Sequence, residues 1–312
     1  MSQRQALDAK ASAIMFVLCM LWGLQQVVLK WAANDISALM QIALRSALSA
    51  LMVYPLIQQS VRRQLWNARY LPAGLLVGVL FATEFYLIGE ALRYTSASHT
   101  IVLLYTAPIF VALGLHWKLP AERLSSVQWG GIFLAFSGIV VSFLLRPQTE
   151  STLQTDALWG DFLALLGGVF WAATTVSVRL SRLAEAPATQ TLFYQLLIGG
   201  ILLLPLAVLT GQAAIQWTVL SISSLVFHTV VISFASYLIW FWMLKHYLAS
   251  RLGVFSFLTP VFGMLCGVLI LDEHIEINFI IGTCMVMLGV ILVSLQGWLK
   301  KPNINKSIQE QA

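Results

Sequence analysis

Long apolar runs alternate with short polar connections along the whole chain of 312 residues. A helix needs about 20 residues, at about 1.5 Å each, to cross a hydrocarbon layer about 30 Å thick. Ten runs of that kind occur, at 11–32, 36–58, 71–92, 98–117, 128–145, 158–178, 189–209, 222–243, 250–270 and 277–297. The pattern predicts an all-α integral membrane protein with ten transmembrane helices. Since several connections are only a few residues long, consecutive helices should be antiparallel neighbours.

The composition excludes the soluble classes of protein. Hydrophobic residues make up 59% of the chain and charged residues 10%, and the mean hydropathy is +0.83. So few charges cannot solvate a globule of this size, and the many branched and aromatic residues exclude a disordered chain. The three cysteines lie in apolar runs, without the Cys/His spacing of a zinc or haem site. We expect no metal and no cofactor, and without a Walker A motif ATP is not the direct energy source.

The distribution of Lys and Arg predicts the orientation in the membrane. Of the 18 basic residues, 14 fall on one side of the predicted bilayer, and only Lys30, Arg93 and Arg146 fall on the other; Arg45 remains inside a span. The positive-inside rule then places both termini in the cytoplasm. Topology therefore explains the pI of about 9.2, and nucleic acid is not an expected partner.

The two halves of the chain match each other at an offset of about 150 residues. Four matches share this register: Trp22 with Trp171, Pro55 with Pro205, Gly138 with Gly289, and Pro108 with Pro260. Each half has five predicted spans, and an odd number means that the second half enters the membrane from the opposite face. Such inverted repeats are typical of alternating-access carriers with a substrate site near the midplane. The alternative is a duplication that only built a stable bundle.

The predicted organisation has five segments. They are a cytoplasmic N-terminal tail (1–10), the first five-helix repeat (11–147), an extracytoplasmic linker (148–157), the second five-helix repeat (158–297) and a cytoplasmic C-terminal tail (298–312). No connection is long enough to hold a separate soluble domain.

The repeat-related segments also carry a family pattern. It comprises Trp22-Gly23, Leu44-Arg45-Ser46, Ala91-Leu92-Arg93-Tyr94-Thr95-Ser96-Ala97-Ser98 running to Pro108, and Ser236 to Lys245 running through Ala249-Ser250 to Pro260 and Asp272-Glu273. From about residue 13 to 297 the chain resembles the EamA type of the drug/metabolite transporter superfamily. The resemblance implies two EamA repeats of five helices and a bacterial inner-membrane carrier, most often an exporter of amino acids or other small metabolites. One departure is Pro120-Ala121-Glu122, where the second repeat has Asp272-Glu273-His274.

Arg45 and Glu84 are the two ionisable residues that fall well inside predicted spans. Such a residue costs about 2.5–3.5 kcal/mol at a helix centre, so each needs a partner or water. Arg45 lies about 13 Å and Glu84 about 12 Å below the same membrane face, so the two share a depth and could pair. In the functional interpretation, Arg45 would bind a substrate carboxylate, or Glu84 would exchange a proton with the substrate. The alternative is a buried ion pair that only fixes helix packing.

Three further polar residues fall in spans near that depth. Gln25 and Gln26 point about 100° apart on one helix, so at least one should face the interior, where an amide can bind a zwitterion or tie two helices together. His228 is a candidate proton carrier or cavity donor, with a packing role as the alternative. Asp161, at the predicted start of the sixth span, is interpreted as a helix cap.

Aromatic residues are mostly expected at interfaces, in lipid contact and in packing. Trp22 and Trp171 are exceptions, because they are repeat-related and fall near mid-membrane. Tyr105, Tyr237 and Trp240 are weaker candidates for a transport cavity.

Pro108 and Pro260 occupy equivalent positions inside the fourth and ninth spans. Each removes a backbone hydrogen bond and favours a kink. They are candidate hinges of a rocking carrier, or elements that only shape the helices.

These features predict a secondary transporter, an exporter of amino acids or related small metabolites working by alternating access, with proton coupling through Glu84 as a hypothesis. Its expected partners are the small-molecule substrate and the lipid bilayer; the oligomeric state stays open. The alternatives are a membrane-embedded enzyme and a non-transporting structural or sensor protein. The sequence gives no support to the membrane-embedded enzyme, because it has no HExxH motif and no serine/histidine/aspartate arrangement.

Overall fold

The chain folds into helices joined by short connections in a computed structural model that describes residues 9–118, 124–144, 151–247, 256 and 258–299. We label the α-helices in chain order. They are α1 (Ala9–Trp31), α2 (Ala38–Val53), α3 (Gln59–Arg62), α4 (Leu71–Tyr94), α5 (Ala97–Leu104), α6 (Ala107–Lys118), α7 (Ser126–Leu144), α8 (Ser151–Leu180), α9 (Ala188–Leu209), α10 (Val219–Val226), α11 (Tyr237–His246), α12 (Leu258–Leu271) and α13 (Ile277–Leu299). Most of the two predicted tails, and the Pro120-Ala121-Glu122 motif, lie outside the described residues.

Seven helical stretches of the described residues are long and apolar enough to cross a membrane, and one of them, Ala97–Lys118, contains both α5 and α6. Three shorter apolar helices, at Ser126–Val141, Leu258–Leu271 and Ile277–Leu292, coincide with the remaining predicted spans. The chain is thus an all-α, multi-pass membrane protein, and the number of ten spans stays a prediction. Large apolar side chains such as Leu51, Phe133 and Leu209 lie on its surface, as hydrocarbon contact requires.

Short polar residues define where several helices begin. The side chain of Ser37 accepts a hydrogen bond from the backbone N–H of Met40 and caps α2. Ser96 caps α5 in the same way, and Thr218 and Ser221 form a reciprocal capping box at the start of α10. These caps satisfy N–H groups that a helix start leaves without partners, which fixes tight connections between antiparallel helices.

The structure departs from uniform spans at three points. The fourth span is interrupted at Tyr105 and Thr106, between α5 and α6, because Pro108 has no N–H to donate to the carbonyl of Leu104. The eighth span contains a π-helical segment, Phe227–Ser236, between α10 and α11. Finally, α8 begins at Ser151, so residues 151–157 of the predicted linker are helical.

Helix packing mostly joins the first half of the chain to the second. Helix α1 packs on α12, α4 packs on α8 and α9, α2 packs on α9 and on the π-helical segment, and α5 and α6 pack on α8. In the repeat, α1 of the first half corresponds to α8 of the second half, and α5 with α6 corresponds to α12. The α1–α12 contact therefore has its counterpart in the contact of α8 with α5 and α6. Likewise, the α4–α9 contact becomes the contact of the π-helical segment with α2. The packing therefore agrees with the two-fold relation that the sequence repeat predicts.

The α1–α12 contact leaves no space for a side chain at Gly23. A Cβ there would lie 2.8 Å from the backbone nitrogen of Gly263 and 2.9 Å from the carbonyl oxygen of Thr259. Gly23→Ala should therefore lower the thermal unfolding midpoint in detergent by several degrees, since such overpacking costs about 1–3 kcal/mol. Gly130 on α7 has open space around its Cβ position, so Gly130→Ala is the matched control. Equal midpoints for the two variants would contradict the close packing of α1 on α12.

Candidate functional site

Arg45 lies on α2 with only 1% of its surface exposed. Its Nη1 donates a hydrogen bond to Oε1 of Gln25 on α1, 3.1 Å away. The guanidinium also lies over the ring of Phe85, 4.6 Å from the centroid. Both contacts stabilise the cation without neutralising it, because the amide carries no charge and the ring offers only its quadrupole. Arg45 is therefore a buried charge that is held in place but remains able to bind an anion.

Glu84 lies on the neighbouring helix α4 and is 6% exposed. Within the described ranges its carboxylate has no hydrogen bond and no direct ion pair. Arg45 is close enough for the two charges to attract each other. The predicted nearness of the two residues is thus found, but the direct pair considered from the sequence is not formed, because Gln25 and Phe85 hold the guanidinium. An acidic and a basic side chain are consequently buried near each other without a direct bond.

His228 lies in the π-helical segment and is fully buried. Its Nε2 is 3.0 Å from the carbonyl oxygen of Gln25, and its Nδ1 is 2.7 Å from that of Ser224. A neutral imidazole has one N–H and can donate to only one of these oxygens at a time. Within the same segment, the carbonyl of Thr229 accepts a hydrogen bond from the hydroxyl of Ser49, 3.1 Å away. His228 therefore connects the π-helical segment to the backbone of α1 at Gln25, the residue whose side chain binds Arg45.

Gln26 is the most unusual polar residue of this region. It is 1% exposed, and neither its Oε1 nor its Nε2 has a hydrogen-bond partner among the described residues. An unpaired buried amide costs about 1–3 kcal/mol. The sequence analysis expected at least one of the two adjacent glutamines to face the interior, and both are buried. The Oε1 of Gln25 accepts a hydrogen bond from Arg45, whereas the amide of Gln26 has no partner in the described part of the chain.

Aromatic side chains surround the charged groups. Tyr105, at the break between α5 and α6, packs edge-to-face on Trp171 of α8, with ring centroids 5.2 Å apart. Tyr237 lies within electrostatic range of Arg45 and Glu84. We call Gln25, Arg45, Glu84, Tyr105, Trp171, His228 and Tyr237 the central cluster.

A second aromatic pair adjoins the central cluster. Trp22 donates a hydrogen bond from Nε1 to the hydroxyl of Ser236, 3.0 Å away. Its ring packs edge-to-face on Trp240, with centroids 5.5 Å apart. Because Ser236 precedes Tyr237 in the chain, this pair joins α1 to the end of the π-helical segment. Four of the five predicted aromatic candidates thus form two ring contacts, and each contact joins a residue of the first half to one of the second half.

The repeat-related prolines both stand in the first turn of a helix. Pro108 is the second residue of α6, and Pro260 is the third residue of α12. A first turn tolerates proline, because its N–H groups have no partner within the helix. The predicted kink inside the fourth span is therefore a two-residue turn at Tyr105 and Thr106, just before Pro108. Whether the two prolines act as hinges stays a prediction.

Several residues of the site were not among those singled out in the sequence. Phe85 follows Glu84 directly, and Ser236 and Thr259 lie within the family pattern beside Tyr237 and Pro260. Thr259 is fully buried next to Cys19 and Tyr105. Their types are common in membrane helices, so only the tertiary contacts reveal them. As for metals, the described chain contains no group of three or more His, Cys, Asp or Glu side chains arranged as ligands.

The cap role predicted for Asp161 is wrong. Helix α8 begins ten residues earlier, at Ser151, so Asp161 is not at its start. The carboxylate instead accepts a hydrogen bond from the hydroxyl of Thr95 and contacts Nδ1 of His99 at 3.0 Å. It therefore joins the two halves of the chain at one end of the bundle.

An apolar helical bundle of two related halves, with Arg45 and Glu84 buried inside it, is typical of a membrane transporter. Comparison with known proteins agrees with this class. The chain belongs to the EamA-like transporter family, whose family model matches residues 9–144 and 158–295. These two matches correspond to the two halves of the bundle.

Individual relatives cover most of the chain. An uncharacterized transporter, YoaV, of Bacillus subtilis (strain 168) is 22% identical over 88% of this chain and 92% of its own. A protein named "probable amino-acid metabolite efflux pump" in Escherichia coli (strain K12) is 26% identical over 92% of this chain and 95% of its own. A solved crystal structure has a TM-score of 0.63 at 17% identity, covering 94% of this chain and 99% of that one. The last comparison concerns the fold alone.

Proposed function

We propose that the protein is a secondary carrier that exports amino acids or related small metabolites by alternating access. The observation that carries this proposal is the pair of buried opposite charges, Arg45 and Glu84, which attract each other without a direct bond. A purely structural ion pair would be in direct contact, because only close geometry offsets the desolvation of both charges. A gap between them suits a ligand that brings both signs of charge.

The chemistry of the central cluster favours a zwitterionic or amphipathic cargo. A substrate carboxylate would bind the guanidinium of Arg45, and a substrate ammonium would bind the carboxylate of Glu84. The amide of Gln26 has no partner in the described chain. It can donate to the substrate carboxylate and accept from the substrate ammonium. Tyr105 and Trp171 would contact an apolar side chain of the substrate. The name of the relative in Escherichia coli supports this class of cargo.

Alternating access would use the two repeats as its moving parts. We propose that residues 11–147 and 158–297 form these repeats, inverted across ten spans, and that 1–10, 148–157 and 298–312 are the tails and the linker. The charge distribution supports a bacterial inner-membrane protein with both termini in the cytoplasm. Glu84 would couple transport to the proton gradient, and Pro108 and Pro260 would be the hinges.

A metabolite profile of the culture medium tests the proposal. Medium from cells that overexpress the protein should be enriched in one or a few amino acids or related metabolites, and medium from deletion cells should be depleted of the same species. The Arg45→Ala variant, expressed at the same level, should behave like the deletion. Enrichment that persists with Arg45→Ala would contradict the assignment of Arg45 to the substrate site. A change confined to chemically converted products would contradict export and favour a membrane-embedded enzyme.

A further inference from the structure

One end of the bundle carries a set of polar contacts between the two halves that the central cluster does not use. The carboxylate of Glu273, in the connection after α12, accepts hydrogen bonds from the backbone N–H groups of Ala97, at 2.6 Å, and Ser98, at 3.0 Å. It also accepts one from the hydroxyl of Ser98, at 2.6 Å. Glu273 thereby binds the N-terminus of α5, where a carboxylate is favoured by the helix dipole.

A second set of contacts lies beside the first. Asp161 of α8 binds Thr95 and His99, and the ring of His99 stacks on Phe279 of α13 with centroids 3.7 Å apart. On the same side, Lys30 at the end of α1 donates to the carbonyl oxygen of Thr95. We call Lys30, Thr95, Ser98, His99, Asp161 and Glu273 the acidic-end latch.

The backbones around the acidic-end latch are in close contact. A Cβ at Gly267 would clash with the hydroxyl of Ser98, and one at Gly160 would lie 2.8 Å from the backbone nitrogen of Thr95. One turn deeper, a Cβ at Gly263 would lie 2.7 Å from the side chain of Ile101. No substrate can pass between helices packed this closely. The central cluster is consequently separated from this end of the bundle.

A cleft lies directly outside the acidic-end latch. It has a volume of about 440 Å³, and Lys30, Thr95 and Glu273 are part of its lining, together with Trp31 and Tyr94. Thr95 and Glu273 thus bind one half of the chain to the other and also border this cleft. Lys30 borders the same cleft and binds Thr95 within the first half.

We propose that Glu273 is a positioning residue for transport, which holds the extracytoplasmic gate closed by binding the N-terminus of α5. This inference rests on the proposed function and on the orientation derived from the basic residues. Release of α5 from Glu273 opens a path from the central cluster to the cleft. Glu273 does not contact the substrate in the central cluster, so its replacement changes the balance between closed and open states rather than binding.

The test measures access without measuring transport. In a background with Cys19, Cys266 and Cys284 changed to alanine, Ile101→Cys provides one thiol beneath the acidic-end latch, where the native side chain is 1% exposed. A membrane-impermeant charged maleimide is added to spheroplasts, and separately to inside-out vesicles, without substrate. Glu273→Gln should raise the labelling rate from the outside by about tenfold, which corresponds to about 1.4 kcal/mol.

The matched control is Glu185→Gln, because Glu185 is exposed and pairs only with Arg69 and Arg182 in the described chain; it should leave labelling unchanged. Ser98→Ala removes one of the three hydrogen bonds and should give an intermediate rate, which keeps the test valid if Glu273→Gln fails to fold. Outside labelling of a folded Glu273→Gln, or of Ser98→Ala, at the parent rate would overturn the proposal. So would an increase confined to inside-out vesicles. Since no substrate is used, these results are independent of whether the protein exports amino acids.

Discussion

Replacing Arg45 with alanine should reduce substrate export by about 100-fold. Truncating one partner of a buried charge pair costs about 2–5 kcal/mol, and about 1.4 kcal/mol corresponds to a factor of ten. The change removes the group that we assign to the substrate carboxylate, and it leaves Glu84 as an uncompensated buried charge. Export of the species identified in the medium should be measured at several internal concentrations, so that binding and turnover are separated.

Arg45→Lys is the informative companion to Arg45→Ala. It keeps the positive charge but loses the planar fork that donates to Gln25 and stacks on Phe85. Export should therefore recover in part, with a higher substrate concentration needed for half-maximal rate. If Arg45→Ala exports at the parental rate while it is present at the parental level in the membrane, the assignment of Arg45 to the substrate site is wrong.

Replacing Glu84 with glutamine should reduce export at least about tenfold and abolish its dependence on external pH. The amide has nearly the same shape, so helix packing changes little, but it cannot release a proton or compensate Arg45. Initial rates in proteoliposomes across a range of external pH measure both effects. Glu84→Asp, which keeps a titratable group, should retain a pH dependence, and Glu185→Gln should leave rate and pH dependence unchanged. A normal rate and pH profile for Glu84→Gln would exclude proton coupling through this residue.

The membrane architecture could be predicted from sequence because apolar length decides it. The runs around residues 11–32 and 71–92 became α1 and α4 with few differences at their ends. Arg45 and Glu84 could be predicted to lie near each other from depth alone, since rise per residue is constant in a helix. Their detailed contacts could not, because the rotation of α2 against α1 decides that Gln25 binds the guanidinium.

The acidic-end latch shows what the sequence could not provide. The sequence identifies Glu273 only as part of the family pattern, and its hydrogen bonds depend on the tertiary approach of α5, which no local pattern encodes. Asp161 was misassigned because the apolar run suggests a helix start at 158, whereas polar residues extend α8 back to Ser151. The partners of both carboxylates are backbone N–H groups or hydroxyls of the other half. They lie far away along the chain, so a local sequence pattern cannot identify them.

The central claim, that this chain alone carries a substrate through a site formed by Arg45 and Glu84, is tested most directly by flux in proteoliposomes. Purified protein should transport the labelled species identified in the medium across the membrane, with saturation kinetics and without ATP. Arg45→Ala reconstituted at equal density should lose about 99% of that flux, which corresponds to about 2.8 kcal/mol. Absence of flux with folded parental protein, or equal flux with Arg45→Ala, would contradict it.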